Sequence, residues 1–488
     1  MRKFISLLVV CLCLCLCACG AEQTTESTAE TEQTECTVVD IAEETNEDIT
    51  EPEESPCVFE NYEYKHSDPR DLKWERDVVY LAKAFLGVYP AEGHPLLADK
   101  ESRVYYTGGI MKMESYYNAE LRIRFTEQIL DLIDNIPILS DTDILYEMQR
   151  IIAELSDAHS SLGIPVVESF AVTVEPFYTD AGVQLHAVRL PVEYSDCLYA
   201  QLVSINGVSI DEVISSMSKY ISTENEYRMM FLLTNLIYNG LLYEKGSLQA
   251  IDVVGDQDDT AVFEFITGDG EHIFAELLAV TPEEYRQIDK VMGDWYSSEQ
   301  FSFSHFSSTY YWYDFEETNG TLYIRFNYEF EMTDYRYSAF IADFKNAVSG
   351  HAAEKLIVDL RFNPGGNMQV SQDFVDAFTD MDFEEIYILI DGGSCSNAVV
   401  LAAELRQKLP NALLVGVPAG QPANFFAAPK ELTLPNSGYA FTVSDMWYEY
   451  WTGYPYDALM PDITIYQTLE DYTNGVDTVL EAVLAMGE

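Results

Sequence analysis

A chain of 488 residues with 82 acidic against 27 basic side chains carries a net charge of −55, and the acidity continues beyond the N-terminal segment into the remainder of the chain. Such a field repels nucleic acid and excludes it as a partner, whereas it suits a protein that must stay soluble outside the cell. Of the nine cysteines, Cys36, Cys57, Cys197 and Cys395, the four beyond Cys19, show no metal-ligand spacing, and no motif calls for a cofactor or a metal.

Arg2-Lys3 followed by an apolar run from Phe4 to Cys17 is the pattern of a signal peptide, too short to span a membrane well. Leu16-Cys17-Ala18-Cys19-Gly20 resembles the bacterial lipoprotein cleavage site. The resemblance implies a signal over residues 1–19, lipidation of Cys19 and a membrane-anchored product facing the extracytoplasmic side; a plain secretory signal is the other reading. Residues 20–57 are rich in Thr and Glu and poor in large apolar side chains, so they cannot bury enough surface to offset chain entropy and are expected to form a disordered acidic tether. Cys36 and Cys57, in and beside it, could pair in an oxidising compartment.

Residues 58–165 read as a helical region. Val78, Val79, Ala82, Phe85 and Leu86 recur at helical spacing, as do the apolar residues between Leu121 and Ile136. Ser140 opens a third helix with Asp143 as its reciprocal cap and Ile144, Leu145, Met148, Ile151, Ile152 and Leu155 on one face. This helix runs into Asp157-Ala158-His159-Ser160.

From 166 to 295 short β-like runs take over. Gln201 to Ile205, the turn Asn206-Gly207 and a helix from Ile210 with Val213, Ile214 and Met217 on one face stand out. After 296, an aromatic-rich stretch includes Leu322 to Phe326, a candidate first strand of the C-terminal domain. Lys355 to Leu360 reads as a strand buried on both faces, ended by Asn363-Pro364-Gly365-Gly366. A helix over Val370–Phe378 and a strand over Ile386–Ile390 follow. Asp391-Gly392-Gly393-Ser394-Cys395-Ser396 then turns into a helix from Asn397 to Arg406. Beyond it, Leu434 to Val443 suggests a hairpin and Asp471 to Leu484 a closing amphipathic helix.

A serine at a helix N-terminus can act as an acyl-transfer nucleophile, because free N–H groups there stabilise developing negative charge. The ordinary alternative is an N-cap. Glycines at the end of the neighbouring strand let the backbone approach a substrate carbonyl, so the N–H groups of Gly366 and Asn397 form a candidate oxyanion hole.

The strand ending Asp359-Leu360-Arg361, the Gly-Gly loop and the Gly393-Ser394-Cys395-Ser396 turn resemble the carboxyl-terminal processing, or tail-specific, serine proteases, in their tricorn-like and retinoid-binding-protein-like branch. Leu414 to Pro418 and Met460-Pro461-Asp462-Ile463 extend the resemblance over the C-terminal half. It implies an α/β chain with a crotonase-like (ClpP/crotonase) catalytic domain over 296–488, preceded by a PDZ-like β module; a generic β-rich insertion is the alternative for 166–295. It also implies peptide-bond hydrolysis of protein or peptide substrates, Ser396 as nucleophile and His159 as general base. A second branch of the family uses a lysine about 25 residues after the serine; here Pro418-Ala419-Gly420-Gln421-Pro422 occupies that stretch and no lysine occurs before Lys430. Asp457, in Tyr454-Pro455-Tyr456-Asp457, stands close to where relatives carry a glutamate and is one candidate to orient His159; Asp157 is another. A non-catalytic binding lipoprotein that keeps the fold is the rival reading.

Overall fold

The computed structural model describes residues 57–87, 104–106, 119–179, 182–234, 240–293, 310–316, 320–350, 354–379, 381 and 383–486. The signal segment, Cys19, Cys36 and nearly all of the tether lie outside the described residues. Among those described, no helix is long and apolar enough to cross a membrane.

The C-terminal half is built on a six-stranded sheet in the order Tyr311–Glu316, Thr321–Phe326, Lys355–Asp359, Glu385–Ile390, Ala412–Gly416 and Ile463–Thr464. All neighbouring pairs are parallel except the first, which is antiparallel. Leu322 to Phe326 is therefore the second strand, and the aromatic stretch before it supplies an antiparallel edge.

Period-two alternation assigns each side chain to a face. Leu322, Ile324, Leu356, Val358, Ile386 and Ile388 join a core with Phe340, Phe344, Phe374, Phe378 and Val399, from the helices Tyr337–Gly350, Met368–Thr379 and Asn397–Lys408. Tyr323, Ile357, Tyr387 and Leu389 face the other way, against Val479, Leu480 and Val483. Both faces are covered, as a run of consecutive apolar residues requires. The closing segment is two helices, Leu469–Thr473 and Thr478–Ala485. Asp477 separates them because its carboxylate accepts the Leu480 N–H at 3.0 Å and starts the second.

Three N-terminal helices, Pro69–Phe85, Ala119–Asn135 and Asp141–Ala153, form as their spacing and caps predict, and the Ser140/Asp143 capping box is present. Their apolar faces are covered by hairpins from the far end of the chain. Phe85, Ile129 and Met148 share a core with Phe441, Val443 and Trp447, and Asp77 accepts the N–H groups of Asn436 and Ser437 at 2.8 Å each. The strand Ser161–Leu162 pairs with Ala440–Val443. The helical region and the C-terminal half are thus joined through one core.

A separate eight-stranded sheet takes all its strands from Ser169 to Met292. Within it Gln201–Ile205 turns through Asn206 and Gly207, both at positive φ, into Val208–Ser209 and the helix Ile210–Met217 capped by Ser209. An Asn-Gly pair favours such a turn because both residues tolerate the left-handed region.

Candidate active site

The Asp391–Ser396 turn is shaped by Asp391, whose Oδ1 accepts the N–H groups of Phe362 and Gly393 at 2.9 Å and of Ser394 at 3.0 Å. Ser394 is fully buried; its hydroxyl donates to the Leu360 carbonyl at 2.8 Å and accepts the Asp391 N–H at 3.0 Å. Ser394 therefore locks the turn. Cys395 is buried too, its thiol is pushed up to about 11 by burial, and it donates to Gln421 Oε1 at 3.0 Å. A thiol kept protonated is a poor nucleophile.

Ser396 differs from both neighbours. It is partly exposed and sits at φ 54° and ψ −125°, directly before the helix Asn397–Lys408, and its hydroxyl makes no capping bond. A non-glycine residue at that φ is strained, and such strain concentrates at functional sites. The N-cap reading is set aside, since the side chain does not cap. The Asn397 N–H, first of the helix, has no intrahelical acceptor.

The glycine loop is pressed onto this turn. Gly365 has φ +99°, and a Cβ there would lie 2.7 Å from the Asn397 nitrogen and 2.8 Å from Ser396 Cβ. Its carbonyl accepts the Glu329 N–H at 3.2 Å. Because a trans peptide points C=O and N–H in opposite directions, the Gly366 N–H is directed away from Glu329. Asp359 and Arg361, just before the loop, belong to a buried network: Arg361 meets Asp359 at 2.6 Å and Asp477 at 2.8 Å, and Arg325 meets Asp359 at 2.8 Å. These motif residues fix the strand end and tie it to the last helix.

His159 is buried and stacked on Phe425 with ring centroids 5.9 Å apart. Burial first, then the charge of Arg228, push its pKa down to about 4, so the ring is neutral at physiological pH. Gln421 joins it to the Ser396 turn. This fully buried amide accepts the Ser396 N–H at 2.6 Å through Oε1, while its Nε2 donates to Glu224 Oε1 at 2.6 Å and lies 3.4 Å from His159 Nδ1. Gln421 stands 25 residues after Ser396, in the stretch where the lysine-using branch has its base. Lys430 is instead paired with Asp445.

Two acids flank the histidine. Asp157 Oδ1 accepts the His159 main-chain N–H at 3.1 Å and lies 3.9 Å from Nδ1; burial raises its pKa to about 6. Glu224 is half-buried with its Oε2 sealed from solvent, and burial raises it to about 8. Asp157, His159 and Glu224 bring ligand-type atoms within 4.8 Å of one another, close enough to share a cation. Asp157 Oδ1 and Glu224 Oε1 already accept protein hydrogen bonds, and Glu224 Oε2 has none among the described residues. Asp457 is not part of it. Its side chain is exposed, and its contribution is a main-chain carbonyl that accepts from Asn225 Nδ2 at 3.0 Å.

Sequence reasoning thus marked Ser396, His159, Gly366, Asn397 and Asp157 on the elements that meet here, and missed Glu224, Arg228 and the linking role of Gln421. The gap at the lysine position was the one local signal for Gln421. Beyond the turn, a cavity of about 440 Å³ opens at the carboxyl ends of the parallel strands, walled by Tyr178, Tyr227, Phe231, Phe362 and Val417. Neither Ser396 nor His159 lines it.

Residues 320–385 match peptidase family S41. No curated protein matches the chain. Among solved structures, mature CPAF complexed with lactacystin is 12% identical, with 84% of this chain and 97% of that chain covered and a TM-score of 0.53. Mature CPAF gives the same identity and TM-score over 84% and 96%. The photosystem II D1 C-terminal processing protease is 12% identical over 84% and 96%, with a TM-score of 0.38.

Proposed function

We propose, from the premise that this chain is a serine-type peptidase of the tail-specific family S41, that it hydrolyses extracytoplasmic proteins or peptides through an acyl-enzyme on Ser396. The Ser396 hydroxyl proton passes to the neutral imidazole of His159 as Oγ attacks the scissile carbonyl carbon. The Asn397 and Gly366 N–H groups receive the oxyanion. Collapse breaks the C–N bond and His159 returns the proton to the leaving amine; water then attacks the ester with the same base, releasing the acid and Ser396. Gln421, with Glu224 and Asp157 behind it, sets the histidine beside the turn. Ser396 Oγ and His159 share no hydrogen bond in this structure, and catalytic hydrogen bonds commonly tighten only in the complex with substrate.

The observation that carries this reading is the conformation of Ser396: strained, uncapped, partly exposed and next to an unpaired helix N–H. Mechanism, anchor at Cys19 and extracytoplasmic placement form one proposal, since a lipid-anchored product faces that side. A fluorophosphonate probe tests the chemistry. It should label the wild type and not Ser396→Ala; equal labelling of both, or of neither, would favour the binding-protein rival.

A further inference from the structure

We propose that Glu329 is a positioning residue for the oxyanion hole, a carboxylic acid that holds both arms of the hole while neutral and weakens it on ionisation. The proposal rests on the acyl-transfer reading above and adds to it a group outside the Ser396–His159 cluster.

Glu329 follows the strand Thr321–Phe326 and is fully buried. Its main chain makes the parallel bridge to Gly366: its N–H donates to the Gly365 carbonyl at 3.2 Å and its carbonyl accepts the Asn367 N–H at 2.7 Å. Its side chain grips the same loop from below. Oε1 accepts from Asn363 Nδ2 at 3.0 Å, and Asn363 Oδ1 accepts the Gly365 N–H at 2.8 Å. The loop has little room to move, since a Cβ at Gly366 would collide with the Glu329 main chain.

The other arm meets the same carboxyl. The Asn397 side chain lies beside it, and the Asn397 amide is fixed by Ser371 and by the Asn367 carbonyl at 3.1 Å. One buried acid therefore touches the loop that carries the Gly366 N–H and the residue that supplies the Asn397 N–H.

Its protonation state follows from what surrounds it. Glu329 Oε2 is sealed from solvent without a hydrogen-bond partner, and no cation pairs with the side chain among the described residues. A buried carboxylate without a counterion is strongly disfavoured, whereas the acid form is tolerated. Burial pushes the group up to about 8. The titratable side chain coupled to it is Tyr337, from the helix Tyr337–Gly350, whose phenol is itself held well above its ordinary range by burial and by Glu329, with smaller contributions from Asp373, Tyr311 and Glu331. Loss of the Glu329 proton would place a negative charge directly behind the two donors, opposing the charge that forms on the substrate oxygen.

The test compares kcat as a function of pH in the wild type, Glu329→Gln, Glu329→Ala and Glu224→Gln. The wild type should lose kcat above about pH 8, and the alkaline limb should disappear in Glu329→Gln, which keeps shape and neutrality. Glu329→Ala releases Asn363 and should lose about a hundredfold in kcat with KM little changed. Infrared difference spectra of Ser396→Ala against Ser396→Ala carrying Glu329→Gln read the protonated carboxyl at neutral pH without any turnover. An alkaline limb unchanged in Glu329→Gln, one that moves with Glu224→Gln instead, or absence of the acid band would overturn the proposal. Continued turnover by Ser396→Ala would overturn the acyl-transfer reading instead.

Discussion

In the proposed mechanism the base, His159, is the part whose strength can be worked out. Burial and Arg228 push His159 down to about 4 against an ordinary 6.5, and that difference favours the neutral ring by about 3 kcal/mol. The sign follows: the neutral form is the base, so activity is present above the folded pKa and lost as pH falls through it. At pH 5 about nine-tenths of such a ring is neutral, compared with about one-thirtieth of an ordinary histidine, a difference of about thirtyfold in competent enzyme. The acid limb of kcat/KM on a chromogenic peptide should therefore lie near pH 4. Arg228 is the second cause of the depression, so Arg228→Met should move the limb upward but leave it below 6.5, because burial, the larger cause, remains. His159→Ala should lose about 10²- to 10⁴-fold at neutral pH. A wild-type limb at 6.5, or one indifferent to Arg228→Met while the fold stays intact by circular dichroism, would refute the assignment of base and cause.

Three further outcomes are expected. Ser394→Ala and Cys395→Ala should keep phosphonate labelling, with Ser394→Ala less stable by about 1–3 kcal/mol because the Leu360 carbonyl and Asp391 N–H lose their buried partner; loss of labelling in Cys395→Ala alone would point to a thiol nucleophile. Asp477→Ala leaves the buried Arg361 with one carboxylate and uncaps the last helix, so the denaturation midpoint should fall by the equivalent of about 3 kcal/mol or more, and a change under about 1 kcal/mol would show that the network does not hold this end of the sheet. Cys19→Ala should release the protein from membranes or leave the precursor uncut, and unchanged attachment would remove the proposed lipid anchor.

The parts of this protein that were legible in its sequence are those fixed by local rules. The capping box at Ser140, the Asn-Gly turn at 206–207 and the alternating strand faces each follow from residues within a few positions of one another. The Ser396 turn was legible for the same reason, and its φ of 54° was not, because the turn is packed against the Gly365 loop from elsewhere in the chain. Gln421 meets Glu224 across 197 residues, and no local pattern marks either as active-site wall. Asp457 misled because an acid near the Pro-Asp-Ile segment fits the family's order, whereas here the main chain of that loop faces the site and the carboxylate faces water. The break in the closing helix has no local signal, because Asp477 looks in sequence like any surface acid; its partner Arg361 lies 116 residues away.

These long-range contacts change what the middle of the chain is for. If the β-rich region only presented substrates, its contacts with the Ser396 turn would be peripheral, yet residues 222–228, between its strands Val208–Ser209 and Thr260–Ile266, supply groups on both sides of the candidate site. Ser222 Oγ donates to the Asp157 carbonyl at 2.8 Å, behind the base. Asn225 Nδ2 donates to the Ala419 carbonyl at 3.1 Å, two residues before Gln421. Glu224, between them, takes the Gln421 amide itself, and Arg228 places a positive charge close enough to His159 to depress it. Each bond is short-ranged and directional, so a displacement of an ångström in this segment breaks several together. The link from His159 through Gln421 to the Ser396 turn is therefore maintained by the docking of residues 222–228, and under the proposed mechanism any ligand or motion that shifts the β-rich region acts on catalysis through them.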